Sequence, residues 1–592
     1  MKNHLLLLSL CCLLSISAHA QTQTIQWWNP AEHEFPVIEG QGWTEGIESF
    51  YDRLPAKAKG VVRDPVWNLS KHTAGMMIRF RSNAEEIVVR YGVGGNHAMP
   101  HMPSTGVSGV DLYAIDSDGG WNWCRGRFSF GDTLQYRFTG LKPNDGYHKL
   151  GREYRLYLPL YNSVNWMEIG VAEGSLFRPL PVRMEAPIVV YGTSIAQGGC
   201  ASRPGMAWTA ILGRNLDRPL INLAFSGNGR LETEVVELVN EISPKVFVLD
   251  CLPNLNNATT YPDEDLRQRV MKTVRSLREK HPQTPILLVD HAGYTDGSVM
   301  PEREISYLRT NLVQQAAFAD LKAEGIEDLF YLSREEIGLT LDDMVDGTHP
   351  NDLGMQHYAA AYEKALREIL AEPVGEATTT HPIIQYREPN NYDWEDRHRE
   401  ILSLNQNDPP RSVILANSII HFWGGKPEAK IVREAGSWDD HFTPMGMYNY
   451  AYGWDRIENV LWRVYHGELD GFDAENILMM IGTNNLHLNT DDEIMEGLQL
   501  LVKAIKTRQP DARFVLLGIL PRRNYEERVA ALNLRIAQLA GAENIEYAYL
   551  GNVFLKPDNK IDESLFSDGL HPNKAGYLKM SVPLQALLGK KQ

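Results

Sequence analysis

The chain has 592 residues, with 58 Lys and Arg against 75 Asp and Glu, a formal net charge of −17 and 43% hydrophobic residues. That length predicts several domains, each large enough to bury its own core. The acidic balance excludes a polyanionic partner such as nucleic acid, whose binding depends on a basic surface that releases counterions.

Residues 1–20 read as a secretory signal peptide: Lys2, the apolar run Leu5 to Leu14, then Ala18-His19-Ala20 as a small-residue cleavage site. Cys11 and Cys12 inside that run fit a lipoprotein site poorly. The mature chain is therefore expected to start at Gln21, to be secreted or periplasmic, and to have no membrane span, since no later stretch is long and apolar enough. It keeps only Cys124, Cys200 and Cys251, too few for a disulfide scaffold.

Residues 21–183 alternate short apolar runs with Gly, Asp and Asn: Glu86 to Tyr91, Gly109 to Ile115, Thr133 to Phe138, Tyr154 to Leu160 and Met167 to Val171. This spacing predicts an antiparallel β-sandwich, jelly-roll-like, acting as an accessory domain. Trp121 and Trp123 share one face of a strand. A core aromatic pair is the expected reading, a sugar-stacking platform the alternative. In the glycine-rich stretch from Gly92 to Met102, His97 and His101 with nearby methionines could hold a soft metal. Pro100 keeps a helix from placing both imidazoles on one face, so a connecting loop, which could lean over a neighbouring site, explains the stretch more simply. Neither a metal nor a cofactor is expected.

Residues 184–373 alternate buried strands with helical segments. The strands are Ile188 to Gly192, Pro219 to Phe225, Val246 to Asp250 and Pro285 to His291. The helical segments include Pro204 to Leu216, Asp263 to Lys280 and a closing one from Tyr358 to Leu370. Strand–helix alternation predicts an α/β domain with a doubly wound parallel sheet. Ser194 follows the first strand. Alone it reads better as a helix N-cap, but the rest of an acyl-transfer set is present: His349 as base, Asp346 to orient it, and the Gly227 N–H and Asn254 amide for an oxyanion. Cys200 and Cys251 would flank this site, either paired or as two buried thiols.

These residues resemble the SGNH, or GDSL-like, hydrolase family, whose four blocks are matched by Ser194, Gly227, Asn254 and the pair Asp346 and His349. Thr193 replaces the usual aspartate, and Leu252 stands where the third block has glycine. The resemblance implies a flavodoxin-like α/β fold and a serine esterase.

A Thr- and Pro-containing linker, 374–390, leads to residues 391–592, where the pattern returns. A charged helix, Tyr392 to Leu404, precedes the strand ending at Ser418. Tyr448 to Asp455, Ile477 to Asn485, Phe514 to Leu520 and Ser567 to Asn573 follow. Serine and histidine are 155 residues apart in the first copy (Ser194, His349) and 153 in the second (Ser418, His571). This internal repeat is stronger evidence than any single motif. The second copy is similar to the platelet-activating-factor acetylhydrolase-like branch, through Met480 to Asn485, Thr507 to Pro510, Leu516 to Arg522 and Asn459 to Val464. That resemblance implies Ser418 as nucleophile, Gly453 and Asn484 as oxyanion donors, Asp568 as orienter and His571 as base.

The expected function is a secreted esterase with two Ser-His-Asp centres that removes O-acetyl groups from polysaccharide or oligosaccharide. The architecture resembles carbohydrate acetyl esterases, and an acetylated glycan is the expected partner. A short-chain lipid or small-ester hydrolase is one alternative; a carbohydrate-binding protein with inactive hydrolase modules is another.

Overall fold

The computed structural model describes residues 24–142 and 149–589; the leader expected over 1–20 lies outside the described residues. The N-terminal part is a sandwich of two antiparallel sheets. One runs, in spatial order, Ile25–Trp28, Val164–Ala172, Glu86–Val93, Leu134–Thr139, Gly126–Ser129. The other runs Phe177–Pro179, Met77–Ser82, Arg152–Tyr157, Asp111–Ile115, Trp121–Cys124, with Ile38–Glu39 added to Met77–Ser82. Alternate residues point inward: Ile87, Val89 and Tyr91 from the first sheet meet Ile78, Phe80, Tyr154 and Leu156 from the second in one core.

The tryptophan pair does not join that core. Trp121–Cys124 is an edge strand, and Trp123 is 50% exposed, its indole N–H donating to Asp111 Oδ1 at 2.6 Å and its ring 4.8 Å from the Arg203 guanidinium. Trp121 is partly buried, with the Arg155 guanidinium 4.3 Å from its ring, and packs toward the α/β modules. An edge strand has one neighbour, so its period-two pattern says which residues share a face but not whether that face is covered.

Two five-stranded parallel sheets follow. The first is ordered Leu220–Ala224, Ile188–Gly192, Val246–Asp250, Ile286–Val289, Leu329–Leu332. The second is ordered Met447–Ala451, Ser412–Ala416, Asn476–Met480, Arg513–Leu517, Glu546–Ala548. Both have the 2-1-3-4-5 order of flavodoxin-like folds. Every residue of Ile188–Gly192 and Ser412–Ala416 is buried, because helices cover both faces and form a core on each side. The expected helix Asp263–Lys280 is present, and the closing helix is Asp352–Ile369. The final strands, Leu329–Leu332 and Glu546–Ala548, were not anticipated: four and three residues are too short to show a period.

The two copies superpose in register. Gly192 is level with Ala224 and Asp250 in the first sheet, as Ala416 is with Ala451 and Met480 in the second. The serine stands two residues beyond the level position in each.

The stretch 374–390 is packed. Gln385 is buried and donates to the Gly453 carbonyl at 2.9 Å, Arg387 donates to Asn459 Oδ1 at 2.6 Å, and the Tyr386 N–H donates to the Ser117 carbonyl at 2.8 Å. Buried charges join the parts. Arg79 pairs with Glu153 of its own sheet and with Glu395 of the second copy, while Arg155 pairs with Asp217 of the first at 2.7 Å.

Candidate active sites

Each serine opens a one-turn helix, Ser194–Gln197 and Ser418–His421, directly after the central strand. The preceding residues, Thr193 and Asn417, are extended, and Asn417 caps its turn through a bond from the Ile419 N–H at 3.0 Å. The neighbouring strand fixes the turn: Asn222 Nδ2 donates to the Ala196 carbonyl at 2.7 Å, and Asn449 Nδ2 to the Ile420 carbonyl at 2.8 Å. A buried guanidinium holds that strand in turn. Arg53, from the N-terminal part, donates to the Asn222 and Ala224 carbonyls at 3.0 and 2.7 Å. Arg397, from the second copy's own helix Trp394–Asn407, donates to those of Asn449 and Ala451 at 2.9 and 3.2 Å.

The structure brings both expected triads together. Ser194 Oγ lies 2.9 Å from His349 Nε2, and His349 Nδ1 lies 2.8 Å from Asp346 Oδ2, whose other oxygen accepts the His349 backbone N–H. Ser418 Oγ lies 2.9 Å from His571 Nε2, and His571 Nδ1 lies 2.7 Å from Asp568 Oδ2. A carboxylate on Nδ1 fixes the tautomer that leaves Nε2 free to accept the serine proton. Burial lowers the His571 pKa below its usual 6.5, and Asp568 only partly opposes this, so at neutral pH the imidazole is an uncharged base. Burial pushes the two carboxyls up, but the hydrogen bonds from His349 and His571 outweigh it and hold both below the usual range.

On the oxyanion side the two copies differ in which of the expected backbone N–H groups is left without a partner. The Gly227 N–H, at φ +68°, takes no partner among the described residues. Asn254 Oδ1 accepts the Gly229 N–H at 3.0 Å, so the side-chain NH2 remains as a donor. Despite Leu252, Asn254 and Asn484 stand four residues past level positions, so the third block is in register. Asn484 donates one hydrogen to the Asp455 carbonyl at 2.9 Å and keeps the other.

Gly453 is not the counterpart of Gly227. Its N–H donates to His421 Nδ1 at 3.0 Å, as the Ser226 N–H donates to Gln197 Oε1 at 2.9 Å. Gln197 and His421 each lie three residues past their serine. Gly453 therefore matches Ser226, and the residue matching Gly227 is Trp454, which holds the left-handed turn at φ +63° without being glycine. The glycine in the sequence drew the assignment one position early; strand register was the signal that locates it.

The N-terminal part borders the first site. The Tyr161 hydroxyl donates to the Ser194 carbonyl at 3.0 Å, and the His101 ring stands 5.6 Å from that of His349. The glycine-rich loop thus leans over this site, an outcome sequence reasoning raised without being able to place it. His97 instead packs on Phe130 at 5.8 Å. Cys200 and Cys251 are buried free thiols, not a disulfide. Burial next to Asp346 pushes the Cys200 thiol up to about 12.

A nucleophile–imidazole–carboxylate chain at the carboxyl edge of a parallel sheet defines a serine hydrolase of carboxylic esters. Comparison with known proteins agrees. The GDSL-like lipase/acylhydrolase family matches residues 185–367 and again 417–579, and the N-terminal region of SGNH-hydrolase-type esterases matches residues 25–177. A GDSL-like lipase from Bacteroides ovatus ATCC 8483 is 31% identical in structure-based alignment, with a TM-score of 0.53, covering 59% of this chain and 98% of that one. Human platelet-activating factor acetylhydrolase IB subunit alpha2 is 28% identical over 200 residues, 33% of this chain and 83% of the relative; the bovine alpha1 subunit is 27% identical over 200 residues. The chain belongs to the GDSL-like lipase/acylhydrolase family and is a carboxylic ester hydrolase with two hydrolase modules.

Proposed function

We propose that both modules are working esterase centres and that the protein, exported from the cell, removes acetyl groups from polysaccharide or oligosaccharide. In the first, His349 Nε2 takes the Ser194 proton as Oγ attacks the ester carbonyl. The oxyanion rests on the Ser194 and Gly227 N–H groups and the Asn254 amide. The imidazolium then protonates the departing sugar oxygen, and water, deprotonated by the same imidazole, releases acetate. In the second, Ser418, His571 and Asp568 act alike, with Trp454 in place of Gly453 as backbone donor beside Asn484.

The observation that carries the two-centre reading is the serine–histidine contact of 2.9 Å in both copies, each imidazole backed by its own carboxylate. Acetyl is supported by the relatives, which are named acetylhydrolases. A large polar alcohol is supported by depth. The serines are 7% and 5% exposed and the imidazole side chains 20% and 18%, so the acyl group enters while the alcohol stays outside. The N-terminal module beside the first site, its exposed Trp123 and the acidic surface support a neutral glycan, and the sequence of residues 1–20 supports export.

Acetate release should be measured on acetylated xylan, acetylated oligosaccharides, an acetyl phospholipid and aryl acetates, with Ser194→Ala, Ser418→Ala and the double variant. Glycan deacetylation is expected in each single variant and none in the double. Full activity in the double variant overturns the mechanism, and a clear preference for the phospholipid overturns the glycan.

A further inference from the structure

The loop that carries His101 and the turn that carries Cys200 bring two metal-type donors to the dyad of the first centre. Suitable ligand atoms of His101, Cys200, Asp346 and His349 all lie within 4.8 Å of one another. Ligands around a tetrahedral zinc ion stand ~3.5 Å apart, so the four donors are already gathered close to that spacing. A thiolate, imidazole nitrogen and one carboxylate oxygen make a zinc-type donor set, softer than the all-oxygen sets of magnesium or calcium.

Local backbone explains why the thiol is there. Gly198 closes the serine helix in the left-handed region at φ +101°, and Gly199 packs so closely that an added Cβ would sit 3.2 Å from His349 Cδ2. Cys200 itself holds a left-handed φ of +72°, which an L-residue adopts only when its surroundings over-determine it. The triad does not use this residue, yet the turn delivers its sulfur to the imidazole.

We infer that His101, Cys200 and Asp346, together with His349, form a binding site for a zinc-type divalent cation that switches off the first centre and leaves the second running. The inhibitory half rests on the proposed roles of Ser194, His349 and Asp346; the binding half does not. On binding, the Cys200 thiol releases its proton and the metal takes the Asp346 carboxylate, the His349 nitrogen or both. If the metal takes His349 Nε2, the nitrogen that would accept the Ser194 proton is occupied while Nδ1 keeps its bond to Asp346; if it takes Nδ1 or Asp346 Oδ2, the 2.8 Å bond that orients the imidazole is lost, and either outcome stops the first centre. Among the described residues the second centre has no such set of donors. Gly424 stands six residues past Ser418, where Cys200 stands past Ser194, and no cysteine follows Cys251 in the chain. The ring of Phe422, which offers no ligand atom, stands 5.4 Å from that of His571.

The test uses cobalt(II) and zinc(II) salts alone on the full-length protein. Cobalt titration is expected to give one equivalent with a thiolate-to-metal charge-transfer band, which zinc abolishes by competition. The band should vanish in Cys200→Ser, and affinity should fall by about tenfold or more in His101→Asn, a loop substitution that keeps the test decisive if the cysteine variant misfolds. Zinc should abolish acetate release by Ser418→Ala, in which only the first centre remains, and spare Ser194→Ala. Absence of a thiolate band in the wild type, an unchanged band in Cys200→Ser, or equal zinc sensitivity of the two serine variants overturns the inference. Normal cobalt binding in a Ser418→Ala variant that is inactive without any metal would instead refute the catalytic role of the first centre and leave the metal site standing.

Discussion

The imidazoles decide the chemistry, and their surroundings set its pH range. A protonated imidazole cannot accept the serine proton, so activity is lost as pH falls through the histidine pKa. Because burial lowers that of His571, the acid limb of kcat/KM in Ser194→Ala should have its midpoint below 6.5; a pH–rate profile with the midpoint above that value would contradict the assignment. In the proposed mechanism the asparagine amides act on the developing oxyanion. Asn254→Ala in a Ser418→Ala background, and Asn484→Ala in a Ser194→Ala background, should each lower kcat about a hundredfold with little change in KM. The serines, acids and bases were legible in the sequence because each lies in a short local motif. Trp454 was not, because strand register across the sheet sets it. Cys200 was placed beside the site by its closeness in sequence to Ser194, and the His101 loop was raised as a neighbour, but that His101 reaches His349 depends on long-range packing of the N-terminal part on the first module.

At the scale of elements, the same carbonyl-capping device recurs with different origins. Arg53 and Arg397 each bind the carbonyls at the end of the second strand, beneath the serine turn, but one comes from the N-terminal part and the other from the second module. No local pattern announces such an arginine, and so neither was singled out. Removing one leaves several buried carbonyls without donors, so Arg53→Ala should cost on the order of 3 kcal/mol in chemical denaturation and lower the activity of the first centre more than the second. The end of the third strand gives a pH signature. Asp250 is fully enclosed, and burial pushes its carboxyl up to about 7 from an ordinary 3.8. The folded state therefore holds more protons than the unfolded one between those values, and the contribution of this group to stability falls as pH rises from about 4 to about 7. Urea denaturation of Asp250→Asn at pH 4, 5.5 and 8 should show a flatter dependence than the wild type; an identical dependence would mean that the group titrates normally.

The whole molecule is held together by buried charge as well as apolar contact. Glu153 of the sandwich lies between Arg79 and Arg155 and accepts the Tyr386 hydroxyl from the stretch that joins the two copies, while the Trp462 indole of the second copy donates to Asp217 of the first at 3.1 Å. Removing Glu153 takes one buried counterion from both Arg79 and Arg155, which keep Glu395 and Asp217, so Glu153→Ala should cost about 3 kcal/mol and lower the melting temperature of the entire chain. Three repeating clues made the division into a sandwich and two parallel-sheet modules readable from sequence: period-two strands, buried β-branched runs, and a duplicated Ser-to-His spacing. How tightly the parts join was not readable, because the polar and charged groups that join them are scattered along the chain from Arg79 to Trp462 and look like ordinary surface residues one at a time.

The central claim is that two hydroxyls, Ser194 and Ser418, are independently activated. Intact-mass analysis after exposure to a serine-directed organophosphate tests it most directly. Two adducts are expected on the wild-type chain, one on each of Ser194→Ala and Ser418→Ala, and none on the double variant. A double variant that still takes up the label, or a wild type that takes up none, would contradict it.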